Sequence, residues 1–176
     1  KVYHETQVLS GDTMYYNRTT GFGEVYDNAL LVDTAENILL AGDFGQYYRE
    51  DGYAFMTDSA VVGMIDNTDT LFMHADTVKG YFDTARNVKK IYAYYKVKFF
   101  KEDMQGKCDS LVYTGADSTM FMYRAPVIWS GENQLTADTI SLTFRNDKMD
   151  SMVMYNAAFI VARDDSTRFN QIKGKN

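Results

Sequence analysis

The sequence predicts an all-β fold: an antiparallel meander of about five two-stranded repeats, creased along its length so that one apolar face closes on itself. Three observations predict it. The residue mix favours strands, a short tetrapeptide recurs at nearly constant spacing, and the apolar alternation changes parity at the same point of every repeat.

The composition comes first. Among 176 residues there are 14 Tyr and 11 Phe, and the single proline is Pro126. Aromatic and β-branched side chains suit a pleated, half-buried surface. No stretch carries apolar residues at helical spacing between clean caps, and none approaches the length of a membrane-spanning helix. The first residues lack a charged-then-apolar leader pattern, so a targeting peptide is expected to be absent or already removed. A net charge of −6 argues against nucleic acid as a partner, since such proteins present a dominant basic surface. The one cysteine, Cys108, excludes an internal disulfide framework and multi-cysteine zinc sites, and leaves the compartment open.

The repeated tetrapeptide is a large apolar residue, any residue, a small residue, then Asp. It reads Leu9-Ser10-Gly11-Asp12, Leu40-Ala41-Gly42-Asp43, Met73-His74-Ala75-Asp76, Gly106-Lys107-Cys108-Asp109 and Leu135-Thr136-Ala137-Asp138, with the aspartates 31, 33, 33 and 29 residues apart. The fourth copy lacks the large residue. Before each Asp the inward positions are −3 and −1; after it they are +2 and +4, as in Met14/Tyr16, Gly45/Tyr47, Val78/Gly80, Leu111/Tyr113 and Ile140/Leu142. A step of three in a period of two means one extra residue, as a bulge or sharp bend produces. Each Asp therefore marks a corner, with a small side chain inside it where a larger one would strike the opposite layer.

A second signature follows half a repeat later. Tyr26-Asp27-Asn28-Ala29, Thr57-Asp58-Ser59-Ala60, Tyr123-Arg124-Ala125 and Tyr155-Asn156-Ala157-Ala158 each precede an apolar run, while the third repeat is irregular here, reading Tyr92-Ala93-Tyr94-Tyr95. Polar turns at 18–21, 50–52 and 115–117, and between repeats at 66–69, 102–105 and 163–167, have the length of hairpin connections. Parallel strands would need longer crossovers. The product is roughly ten strands in a meander with one apolar face. Left in water, that face would cost tens of kcal/mol, at about 25 cal/mol per Å². The sheet is therefore expected to fold over at the aspartates into a two-layered, V-shaped or jelly-roll-like stack, in which each repeat contacts mainly its neighbours, as in a solenoid. The tail around Ile172 and Gly174, with Lys175 in place of Asp, reads as the start of a sixth repeat. Residues 1–176 are thus expected to be one domain and a fragment of a longer protein.

The candidate site residues follow from the same parity. The inward apolar set is Met14, Met73, Val78, Leu111, Val127, Trp129, Leu135, Ile140, Leu142, Phe144 and Phe159. It forms either a closed core or a cleft that accepts acyl chains, for which flexible Met and aromatic side chains are suited. Lys96 and Lys98 alternate with Val97 and Phe99 and so face away from the apolar side. They are either solvated, blunting an edge, or contacts for phosphate or acidic sugar on a lipid headgroup. Cys108 falls in the small inner slot and reads as a buried, inert thiol. The aspartates are too sparse for calcium and are expected to cap backbone donors freed by the bulges. The only histidines, His4 and His74, form no metal set. No catalytic constellation stands out, and no cofactor or metal is implied.

The repeated Leu-x-Ala/Gly-Asp-Thr pattern at hairpin spacing, from Leu9 to the end of the chain, resembles the OstA-like family, as does the terminal Gln171-Ile172-Lys173-Gly174. That family includes a periplasmic lipopolysaccharide-transport bridge protein and the N-terminal domain of its outer-membrane partner. The resemblance implies a V-shaped twisted jelly roll whose apolar interior shields acyl chains while the saccharide stays outside. It also implies modules joined end to end through open edge strands, in the periplasm or at the outer membrane. Lipopolysaccharide or a related lipid, other transport proteins and further copies of the chain are then the expected partners. The high Tyr and Met content and the lysine-rich third repeat depart from the compact bridge protein. Two rivals remain at this level. One is a structural scaffold polymerising through its edges without a lipid. The other is a carbohydrate-active enzyme with Tyr47, Tyr48 and Tyr53 stacking on sugar, for which no paired carboxylates are evident.

Overall fold

Alternating apolar residues over long stretches, broken by short polar turns, form one antiparallel sheet. A computed structural model describes every residue except 5, 36, 66–69, 86, 146–147, 165–167 and 175–176, and of His4 only the backbone. The expected turn at 66–69, much of the turn at 163–167 and the Lys175 substitution lie outside the described residues. The strands are β1 (Val2–His4), β2 (Gln7–Ser10), β3 (Thr13–Asn17), β4 (Phe22–Asp33), β5 (Ile38–Tyr48), β6 (Tyr53–Ile65), β7 (Thr70–Phe82) and β8 (Val88–Lys101). They continue as β9 (Met104–Thr114), β10 (Thr119–Tyr123), β11 (Val127–Ser130), β12 (Asn133–Thr136), β13 (Thr139–Arg145), β14 (Lys148–Tyr155), β15 (Phe159–Arg163) and β16 (Phe169–Lys173). Sixteen strands among the described residues replace the ten or so expected. The reason is the crease: β4 to β9 pass through it unbroken, at 11 to 14 residues each, whereas nearer the ends it splits each pass in two.

The crease divides the sheet into two arms. One runs β1-β2-β4-β5-β6-β7-β8-β9-β11-β12-β15-β16; the other pairs β3 with the first part of β4 and ends β9-β10-β13-β14. We call them the first and second arm. Register shifts mark the boundary at Tyr26/Ala29, Ala41/Phe44, Thr57/Ala60, His74/Thr77 and Tyr94/Val97. On one strand the extra residue is Asp43, Asp76 or Asp109. On its neighbour there are two extra residues, and these are left-handed: Asp27 and Asn28 (φ 55° and 52°), Asp58 and Ser59 (60° and 62°), Arg124 and Ala125 (62° and 54°), Asn156 and Ala157 (55° and 48°). Asp and Asn tolerate this region because their short polar side chains bond locally. In the irregular third repeat the corner is Tyr94-Tyr95-Lys96-Val97, with Lys96 alone left-handed at 53°.

The aspartates sit at the corners as expected, but among the described residues no backbone amide is found donating to their carboxylates. Three of them meet side chains of the left-handed corner on the next strand. Asn28 Nδ2 donates to Asp12 Oδ2 at 2.9 Å, Lys96 Nζ lies 3.6 Å from Asp76 Oδ2, and Arg124 Nη1 lies 3.4 Å from Asp109 Oδ2. The freed backbone is paired strand to strand instead, as Asp12 N to Asp27 O at 2.9 Å and Asp138 N to Asn156 O at 3.1 Å.

Inside the corner runs a line of small residues. Ala29, Ala60, Ala75, Cys108 and Ala137 are buried, with Val97 and Pro126 the larger occupants. The two arms are closest here, and a Cβ built on Gly11 would lie 2.1 Å from Val25 Cγ1.

Candidate functional site: an apolar interior that opens at one end

Cross-strand neighbours share a face of the sheet, so the register fixes what lines the interior. In the first arm one row reads Val2, Leu9, Leu31, Leu40, Val62, Met73, Phe99, Gly106, Ile128, Leu135, Ile160 and Ile172, each paired with the next. Facing it in the second arm are Met14, Val25, Gly45, Met56, Val78, Ala93, Leu111, Met122, Ile140 and Met154. A parallel row reads Tyr16, Gly23, Tyr47, Ala54, Gly80, Ile91, Tyr113, Met120, Leu142 and Met152. All five pairs read from the sequence at +2 and +4 point inward. By register all 10 methionines of the chain stand on this inner face.

The expected site residues divide. Met14, Met73, Val78, Leu111, Leu135, Ile140, Leu142 and Phe144 line the interior. Val127, Trp129 and Phe159 do not. Ile128, fully buried, and Ile160 take the inward slots beside them, so these three lie on the outer face. The physical reason is that Val127-Ile128-Trp129 and Phe159-Ile160-Val161 are apolar on both faces, as in strands covered on both sides. Alternation then carries no parity, and the two left-handed residues before each run shift the phase by a step the apolar pattern does not reveal. Tyr47 also turns inward, whereas Tyr48 and Tyr53 stand outside with ring centroids 5.5 Å apart. They belong to a cross-strand series, Phe22–Tyr48–Tyr53–Tyr81–Tyr92, at 4.8 to 6.0 Å. Such pairs contribute about 0.2–1 kcal/mol each, and they account for four of the 14 tyrosines.

Lys96 and Lys98 are both exposed but occupy different settings. Lys96 is the corner residue paired with Asp76. Lys98 is on the outer face of the first arm, beside His74 on one side and Lys107 on the other. Since β8 is paired on both sides, neither lysine blunts an edge. Cys108 fills its small slot, its Sγ 3.2 Å from the Ser110 carbonyl, and burial pushes the thiol up to about 12. Among the described residues no three His, Cys, Asp or Glu side chains converge.

The interior varies along the stack. From β4 to β13 it is filled: Val25, Met122, Ile128, Ile140 and Leu142 are fully buried. Near the first strands a hydrogen-bonded chain joins the arms across the mouth of the V. Tyr47 Oη donates to Gln7 Oε1 at 2.9 Å, and Gln7 Nε2 donates to the buried Asp33 Oδ2 at 2.6 Å. At the other end the interior is uncovered. Met152, Met154 and Ile160 are only half-buried, and Ile172 is 57 % exposed. There both arms stop at strands with one free edge, β14 and β16, as they do at β1 and β3 at the opposite end.

No protein-family model matches the chain, and no curated protein matches it. A search of solved structures finds LptH from Pseudomonas aeruginosa, described as the LptA-homologous periplasmic component of the lipopolysaccharide transport device. The match has a TM-score of 0.57 at 10 % identity, covering 78 % of this chain and 95 % of that one. The creased antiparallel sheet of this chain is therefore the LptA-like fold.

Proposed function

We propose that this chain is a non-catalytic, periplasmic lipopolysaccharide-binding module that shields acyl chains in its apolar interior and docks end to end through edge strands. One observation carries the reading: the inner apolar rows run the length of the stack and emerge uncovered at β14–β16, between two unpaired edges. A second module stacked there would bury Met154 and Ile172 and extend the interior, with strand-edge pairing as the join. The interior is also rich in methionine, an unbranched side chain that rearranges around an apolar guest. The fold shared with LptH supports the same assignment. The rival, a scaffold that polymerises through those edges without lipid, draws on the same free edges but gives no role to the methionines.

A photocrosslinking pair separates them. Met154 and Val153 are adjacent on β14 and face opposite sides of the sheet. A photoreactive residue at Met154 is expected to label purified lipopolysaccharide, and one at Val153 is not. Equal labelling at both, or none at Met154 in protein that forms fibres, would overturn the lipid reading.

A further inference from the structure

The outer face of the first arm carries an arrangement that the interior does not explain. His74, Lys98 and Lys107 sit directly opposite one another on β7, β8 and β9. Neighbouring strands are about 4.8 Å apart, so two ammonium groups and an imidazole share one small area. Like charges directly opposite each other destabilise a sheet, and among the described residues neither Lys98 nor Lys107 has a carboxylate within ion-pair distance. This occurs on an acidic protein, and on central strands where lysine has no edge to protect.

The surroundings are apolar. Phe72 and Phe100 are paired across β7 and β8, and each is about half exposed. Lys107 Nζ lies 5.6 Å from the centre of the Trp129 ring. The three basic side chains and the three aromatic ones line a single shallow cavity of about 430 Å³. A simple anion would satisfy the lysines and leave the aromatic surface wet. A simple apolar ligand would leave the two charges opposed.

We infer that this cavity binds a phosphorylated amphiphile, its phosphate between Lys98, Lys107 and His74 and its apolar part against Trp129, Phe72 and Phe100. Lysine ammonium groups bind phosphate as point charges, and the indole holds Lys107 in place through its ring face. The sheet separates this site from the interior, so the inference does not depend on the lipopolysaccharide reading, and either can fail alone.

The chain contains one tryptophan, so its fluorescence reports on this site. Hexyl phosphate is expected to shift Trp129 emission saturably, with inorganic phosphate and hexanol each binding at least about tenfold more weakly. K98Q/K107Q should weaken hexyl phosphate by about tenfold or more, while K96Q, which alters only the lysine facing Asp76, should leave it unchanged. Because the double variant removes a repulsion, it should unfold no earlier than the parent, which separates lost binding from lost folding. Binding to vesicles of phosphatidylglycerol but not phosphatidylcholine would place the phosphate on a membrane lipid. Hexyl phosphate binding without vesicle binding would place it on a soluble amphiphile. No emission change, a response retained in K98Q/K107Q, or inorganic phosphate binding as well as hexyl phosphate would overturn the inference.

Discussion

Replacing Gly42 by alanine tests the crease on which the fold depends. A Cβ at this position would lie 2.7 Å from Met56 Cγ and 2.8 Å from the Thr57 carbonyl oxygen. Methionine can give way, but the carbonyl cannot easily follow. Thr57 is paired with Phe44 on one side and Thr77 on the other, and its hydroxyl contacts Thr77 Oγ1 at 2.8 Å. Relief therefore requires the two arms to part at the corner. Overpacking of this kind costs about 1–3 kcal/mol. Taking about 2 kcal/mol, and a urea slope of about 2 kcal/mol per molar, the unfolding midpoint should fall by about 1 M. Gly63 is the control. It too is a strand glycine, and a buried one, but its Cβ would meet nothing closer than Phe72 Cε1 at 3.6 Å. There alanine should be neutral or stabilise by up to about 0.5–1 kcal/mol, the ordinary gain over glycine in a strand. If G42A costs no more than G63A, the arms are not in contact at the corner and the reasoning fails.

Two further predictions concern the same corners. Ala125 and Ala157 hold left-handed φ values of 54° and 48°, a region that costs an L-residue about 1–2 kcal/mol; glycine returns about 0.5–1 kcal/mol of that as lost chain entropy. A125G/A157G should therefore raise the melting temperature by about 2–4 °C, and a fall would show that the methyl groups make compensating contacts. Cys108 should be inert in the folded state: iodoacetamide at mildly alkaline pH should label native protein far more slowly than urea-unfolded protein, and equal rates would contradict the buried slot. Because the folded thiol holds its proton up to about 12, whereas an unfolded one ionises near about 8.5, its contribution to stability is intact below the lower value and is lost as pH rises above it. C108A should lack that part of the pH dependence.

The features legible in the sequence were those written in a strict period of two. The five aspartates, the small residues before them and the inward pairs after them were placed correctly, because a parity change leaves a mark only where one face is apolar and the other polar. The return strands lacked that contrast. Val127-Ile128-Trp129 and Phe159-Ile160-Val161 are apolar on both faces, so nothing in them says which residue points inward. The information lies instead in the backbone of the preceding pair, Arg124-Ala125 or Asn156-Ala157. Asp27-Asn28 and Asp58-Ser59 carry a recognisable preference for left-handed φ; Arg-Ala and Asn-Ala carry a weaker one. In the third repeat the same corner is Tyr95-Lys96, with Val97 in the slot held by Ala29, Ala60 and Ala158 in other repeats, so neither composition nor size revealed it. The His74–Lys98–Lys107 line was hidden for another reason. It is made by register across three strands, and nothing along the chain says that these three residues stand opposite one another.

The filled centre of the interior and a role in holding acyl chains are reconciled by how the arms are connected. Strands β4 to β9 each run through both arms, so the arms cannot slide past one another; the motion left to them is opening about the crease. What resists that opening in the middle is packing among side chains, several of them methionines, together with the Tyr47–Gln7–Asp33 chain near the first strands. No such hydrogen-bonded tie is found at the β14–β16 end among the described residues, and Met152, Met154 and Ile172 are already partly in water there. An apolar guest entering at that end meets the least resistance first, and each methylene it buries offsets about 0.8 kcal/mol of the contacts it displaces. A filled core that is open at one end, untied at that end and hinged along one side can be invaded progressively, without being emptied first.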